Sequence, residues 1–261
     1  MKLINLIRKV IPVMIRQSFG VWITTKIGKS KFLIYLYFFL LCGHAPKNLK
    51  FLLDGDCSVD GIVAPRDGIL AFIDVFQDKV YEKLWSPQRG DVVLDVGAYV
   101  GMFTSRAAGL VGNTGKVIAI EPEPHNLSYL RRNVEHLSNV IVVGEAAFDK
   151  VGNRNLYLSG SSQCHTLVYP HKKFLQVKVN TLDNIATQLG LTHIDFVKID
   201  AEGAELQILE GARSILKDKP KLAIASYHDL PNGKTEIPSI VAFLTSAGYQ
   251  TYILDGYVYA E

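Results

Sequence analysis

From about residue 90 the chain alternates short apolar runs with stretches of helical periodicity, and no other feature limits its fold as strongly. The runs are Asp91–Val96, Lys116–Ile120, Val140–Val143, Ile194–Ile199 and Leu222–Ala225. Between most of them lie helical patterns, such as Leu127, Leu130, Val134 and Leu137, then Ile208, Leu209, Ala212, Ile215 and Leu216. Short buried strands separated by helices predict an α/β fold: a doubly wound, mainly parallel sheet with both faces covered. At the end, Tyr249–Leu254 and Tyr257–Ala260 flank Asp255-Gly256, a strong hairpin signal, so an antiparallel hairpin is expected to close the sheet. Residues 145–180 break the alternation. Within them Asn155–Leu158 and Gln176–Val179 read as inserted strands over the edge where such sheets bind ligands.

The formal net charge of +3 hides an asymmetry. Residues 1–53 hold nine Lys or Arg and no acid, leaving 28 − 9 = 19 basic against 25 acidic residues beyond, a balance of −6. Residues 2–16 carry polar side chains at helical spacing around a wide apolar face, and Phe32–Cys42 runs without a charge. Eleven helical residues reach roughly 16 Å, about half a bilayer core. The leader matches neither a secretory signal nor a mitochondrial presequence, since basic residues interrupt its apolar runs and serine is scarce. Residues 1–53 are therefore expected to form a basic, apolar helical anchor, with 1–42 meeting a membrane surface. The alternative is that 32–42 is a buried core helix. Residues 54–88 are read as a lead-in packing on a catalytic domain at 89–261, and the protein as cytoplasmic, peripheral or monotopic at the inner face of a membrane. Dimerisation through 32–42 stays open. Cys42, Cys57 and Cys164 lie far apart, with no disulfide framework or zinc-ligand spacing.

The most informative stretch is Asp95-Val96-Gly97-Ala98-Tyr99-Val100-Gly101, where the first run gives way to a helix. Glycines at 97 and 101 are expected to let the backbone approach a ligand, with Asp95 projecting from the strand end. The spacing departs from GxGxxG, which disfavours a nicotinamide dinucleotide and leaves room for a cofactor without phosphates. Glu121, followed by Pro122, ends the second run and is placed to accept hydrogen bonds from both hydroxyls of a ribose. Together these features point to S-adenosylmethionine. After the third run, Glu145-Ala146-Ala147 offers small residues on which adenine can lie flat, with tight helix packing as the competing reading.

The segments VVLDVGAYVG, AIEPEPHNLSYLRRNV, VNTLDNI, FVKIDAEGAELQILEGA and KPKLAIASYH resemble FkbM-type S-adenosylmethionine-dependent methyltransferases over roughly residues 80–230. IDAEGAE is the most specific of them. The resemblance implies a Rossmann-like, seven-stranded class I sheet, transfer to oxygen, and a glycan, glycolipid or other lipid-linked hydroxyl as acceptor. It also implies a place near the cofactor for Tyr81, with core packing as the alternative.

A sugar hydroxyl is a poor nucleophile at neutral pH and needs a base. Asp200, at the end of the fourth run, is the leading candidate. Glu202 competes, or caps the following helix, and His228 after the fifth run is a third. Their spacing has no metal-site pattern, and no metal is assigned. Lys198 is read as an ion-pair partner for Glu202 or Glu205. Ser161, Ser162, Gln163 and His165 form a polar loop cluster facing either an acceptor or nothing in particular. A catalytically silent, membrane-associated binding module is the competing function, against which the intact Gly97, Gly101, Glu121 and Asp200 speak. Nucleic acid is excluded as a partner by the acidic balance of the second part.

Overall fold

The computed structural model describes residues 48, 50–52, 56–227 and 235–261, so residues 1–47 of the leader, the 32–42 segment among them, and His228 lie outside the described residues. The described end of the leader, Lys50–Phe51, is a strand and not a helix. The chain forms two compact units: residues 1–79 with 161–163, and residues 80–160 with 164–261.

In the first unit β1 (Lys50–Phe51), β2 (Cys57–Val59) and β3 (Ile62–Ala64) form a small antiparallel sheet absent from the sequence reading. Val59 pairs with Ile62 across Asp60-Gly61, both with positive φ (51° and 89°), the signature of a two-residue type I′ hairpin. Mixed helical turns follow from Arg66 to Gln77. Within the same unit the Asp67 carboxylate accepts from Ser161 Oγ at 3.1 Å, Ser162 N at 2.7 Å and Ser162 Oγ at 3.0 Å, while Gln163 Nε2 donates to the Asp67 carbonyl at 2.6 Å. The serine–glutamine cluster is thus engaged with its own chain.

The second unit contains β4 (Val92–Val96), α1 (Met102–Val111), β5 (Lys116–Ile120), α2 (Pro124–Val134), β6 (Val140–Val143), β7 (Ala146–Ala147), β8 (Gly152–Leu158) and β9 (Lys173–Asn180). It continues with α3 (Leu182–Gln188), β10 (Phe196–Ile199), α4 (Glu205–Glu210), β11 (Lys221–Ala225), α5 (Ile237–Ser246), β12 (Thr251–Leu254) and β13 (Tyr257–Ala260). Seven strands form one sheet in the order β12-β13-β11-β10-β4-β5-β6. All neighbours pair in parallel except β13, which is antiparallel to both β11 and β12. This is the Rossmann-like α/β sheet with its antiparallel hairpin, and Asp255-Gly256 turns at φ 52° and 85°.

The central strands are β-branched and apolar because they are covered on both faces: Val93, Leu94, Val117, Ile118, Leu222 and Ile224 are fully buried. The inserted element is a three-stranded sheet, β7-β9-β8, rather than a pair of short strands. Its hairpin pairs seven residues on each side, from Gly152↔Val179 to Leu158↔Lys173, well beyond the expected 155–158 and 176–179. Ala146 and Ala147 pair in parallel with Val179 and Asn180, so they lie in a strand and not in a packed helix. Among the described residues no helix is long and apolar enough to cross a membrane.

Candidate active site

Strand β4 is followed in sequence by β5 on one side and borders β10 on the other, so the chain reverses its winding direction between β4 and β10. Ligands in open α/β sheets bind outside the carboxyl ends of the strands at such a point. Here the strand ends are tied together: Gly97 N and Ala98 N donate to Ile120 O, Glu121 N to Val143 O, and Asp200 N to Val96 O, all at 3.0–3.1 Å. The backbone thereby brings the glycine loop, Glu121 and Asp200 to one edge.

The loop is tightly wound, with Gly97, Tyr99 and Gly101 all at positive φ (71°, 54° and 90°). Both glycines are demanded by protein contacts. A Cβ on Gly97 would lie 1.8 Å from the Asp200 carbonyl oxygen, and one on Gly101 would lie 2.7 Å from Leu130 Cδ1 of α2. Ala98 packs inward with Leu130 and Val134. The close approach expected toward a ligand is, at these two Cβ positions, an approach of the chain to itself.

Glu121 is buried at the end of β5, and its carboxylate accepts from Tyr99 N at 2.9 Å and from Glu123 N at 3.0 Å. Burial pushes its pKa up from 4.5 to about 7, against the pull of these two N–H groups and of Lys198. Pro122 leads into α2, whose N-cap Glu123 accepts from Asn126 N at 2.7 Å. Glu145 follows β6 and accepts from Asn180 Nδ2 at 2.8 Å.

Asp95 differs from expectation. It is fully buried, pairing with Lys198 Nζ at 3.1 Å and accepting from Thr104 Oγ1 at 2.6 Å, so its carboxylate supports the loop from within. Lys198 also donates to the Val96 and Gly97 carbonyls at 3.2 and 2.7 Å. Its partners are therefore the end of β4 and not Glu202 or Glu205, because Lys198 stands opposite Asp95 in the β4–β10 register, with both side chains on one face.

Asp200 is half-buried and accepts from the Tyr81 hydroxyl at 2.5 Å. Tyr227, half-buried beside it, has its phenol held well above pKa 10 by burial and by the Asp200 charge, so it stays protonated. Its ring lies 5.3 Å from that of Tyr257. Neither Tyr227 nor Tyr257 was singled out by the sequence, since lone tyrosines around a strand end carry no local signal. Glu202 sits at positive φ (53°), its carbonyl accepting from Thr166 Oγ1 at 2.7 Å. No side chain caps α4; Glu205, its first residue, turns back to accept from Ala201 N and Gly203 N of the preceding turn at 2.9 and 3.2 Å. Gly203 is required by its φ of 93° and by the Tyr169 ring, which a Cβ would meet at 2.4 Å.

The donor set suits a cofactor bearing a ribose and no phosphates: a buried carboxylate beside a left-handed loop, with both loop glycines closed by protein atoms. The model of the methyltransferase FkbM domain matches residues 95–251. The chain is 27% identical over 164 residues, 59% of its length and 55% of the relative's, to the ubiquinone/menaquinone biosynthesis C-methyltransferase UbiE of Escherichia coli O1:K1 / APEC. It is 41% identical over 63 residues, 23% of its length and 32% of the relative's, to the probable cobalt-precorrin-6B C(15)-methyltransferase (decarboxylating) of Saccharolobus solfataricus. The chain thus spans from a third to about half the length of these relatives. Among solved structures it is similar to methyltransferase FkbM from Methylobacillus flagellatus KT, with 20% identity and a TM-score of 0.52, covering 75% of this chain and 54% of that one. With the family model covering more than half of its length, this chain belongs to the FkbM family of S-adenosylmethionine-dependent methyltransferases.

Proposed function

We propose that the chain methylates oxygen, on a hydroxyl of a glycan, glycolipid or other lipid-linked acceptor at a membrane surface, with Asp200 as the base. Bound S-adenosylmethionine supplies a methyl group already activated on a sulfonium. The residues of the chain then align the two reactants and accept one proton. Glu121 is assigned to the ribose hydroxyls, Asp95 through Lys198 to the shape of the loop, and Asp200 to the acceptor proton. As the acceptor oxygen bonds to the methyl carbon and the carbon–sulfur bond breaks, the hydroxyl proton passes to the Asp200 carboxylate.

The observation that carries this reading is the position of Asp200 at the end of β10, beside the glycine loop and oriented by a phenol. Glu202, two residues on, is the competing base. Incubation of the full chain with methyl-labelled S-adenosylmethionine and membrane glycolipids tests the assignment. Label recovered as an alkali-stable methyl ether, reduced about 100-fold or more in Asp200→Asn, supports it. Label on nitrogen or carbon, or full activity in that variant, refutes it.

The membrane context is supported by the count of nine basic and no acidic residues in 1–53 and by the uncharged run at 32–42. An acceptor carried by lipid would lie in the plane where such a leader binds.

A further inference from the structure

Tyr81 lies outside the segment that the family model matches, which begins at Asp95, yet it enters the candidate active site. It is buried in the short turn Val80–Glu82, and all three residues of that turn are tied to different elements of the second unit. The Val80 carbonyl accepts from the Tyr259 hydroxyl of β13. The Glu82 carboxylate pairs with Arg106 of α1 and accepts from Ser86 Oγ at 2.9 Å. Between them the Tyr81 ring is wedged edge-on against Phe103 at 5.3 Å and Tyr257 at 5.7 Å, with the Lys198 ammonium 5.1 Å from its centre. From this confined ring the hydroxyl donates to Asp200 Oδ2.

We infer that Tyr81 is a positioning residue for the methyl transfer, its phenol fixing the plane of the Asp200 carboxylate so that Oδ1 keeps a constant bearing on the acceptor. The backbone of Asp200 is held by its own contacts, its N–H donating to the Val96 carbonyl at 3.1 Å and its carbonyl packed against Gly97. Tyr81 adds a constraint on the side chain. A tyrosine serving only to fill the core would not need a hydroxyl directed at a half-buried carboxylate, and Phe103 nearby fills space without one. This inference rests on Asp200 being the base.

The test needs no acceptor. Sinefungin carries an amine where the transferred methyl would be, and S-adenosylhomocysteine has nothing there, so the ratio of their affinities reports how well a carboxylate faces that position. Calorimetric titration of both ligands into the full chain, Tyr81→Phe and Asp200→Asn reads the ratio. The expected result is a preference for sinefungin that falls about fivefold in Tyr81→Phe and vanishes in Asp200→Asn, while S-adenosylhomocysteine binds Tyr81→Phe within about twofold of the original. An unchanged preference in Tyr81→Phe, or an equal loss of both ligands there, overturns the positioning role and leaves only packing. A preference that is absent in the original chain or survives in Asp200→Asn removes Asp200 as the base, and the role of Tyr81 falls with it.

Discussion

At the scale of single residues, two substitutions separate strain from collision. Gly61 and Gly97 both hold positive φ, but a Cβ on Gly61 meets nothing within 4 Å and one on Gly97 meets the Asp200 carbonyl at 1.8 Å. Gly61→Ala is expected to cost about 1 kcal/mol, the price of a left-handed alanine, and Gly97→Ala on the order of 4 kcal/mol or loss of the fold, as read by urea unfolding. Glu121 makes a second test. Its folded pKa of about 7 lies above the ordinary 4.5, so the folded chain holds that proton more tightly than the unfolded one does, and stability is lost as pH rises between the two values. The difference in unfolding free energy between the chain and Glu121→Gln should therefore move in favour of the variant by about 2 to 3 kcal/mol from pH 5 to pH 8. Ribose hydroxyls favour the ionised carboxylate, so cofactor binding near neutral pH should release a proton, measurable by calorimetry in buffers of different ionisation enthalpy. The sequence made Gly97, Glu121 and Asp200 legible, because strand ends and turn glycines leave local marks. The bond from Tyr81 to Asp200 spans 119 residues and leaves none.

At the scale of elements, β4 and β10 are joined by a buried charge pair as well as by their ladder. Lys198→Met would leave Asp95 ionised with no cation in a fully buried position, at an expected cost of 3–5 kcal/mol. The double variant Asp95→Asn with Lys198→Met keeps the stems and removes both charges, and should regain most of that stability in chemical denaturation. Element boundaries show what periodicity can reveal. Strands β5 and β6 fall on the expected residues, being apolar but for Lys116, whereas the β8–β9 hairpin outruns its apolar core because polar residues such as the exposed pair Asn153 and Lys178 occupy its solvent side. Strand β7 has two residues and cannot display a period of two. The Asp-Gly pairs at 60–61 and 255–256 each turn a type I′ hairpin. Only the second was recognised, since its flanking strands are four residues long and those of the first only three.

At the scale of the whole molecule, the contrast between a leader of +9 and a remainder of −6 predicts salt-sensitive binding to vesicles containing anionic lipid. Sedimentation of the full chain with such vesicles, lost on deletion of residues 1–53, is the expected outcome; equal binding by both would remove the membrane context from the proposed function. The division of the chain was only coarsely legible. Val80–Glu82 packs with the second unit although nine residues of irregular chain separate it from β4, and Ser161–Gln163 packs with the first although it lies inside the insertion. Long-range hydrogen bonds decide both, and no local pattern announces them. The contact between Gly97 and Asp200 has a wider consequence. One face of that backbone touches the donor's loop and the other carries the group assigned to the acceptor, so a shift in either is transmitted to its counterpart. Donor affinity and acceptor preference are therefore geared together, and variants selected for a new acceptor should show altered hold on the cofactor even when every mutated residue lies on the acceptor's side.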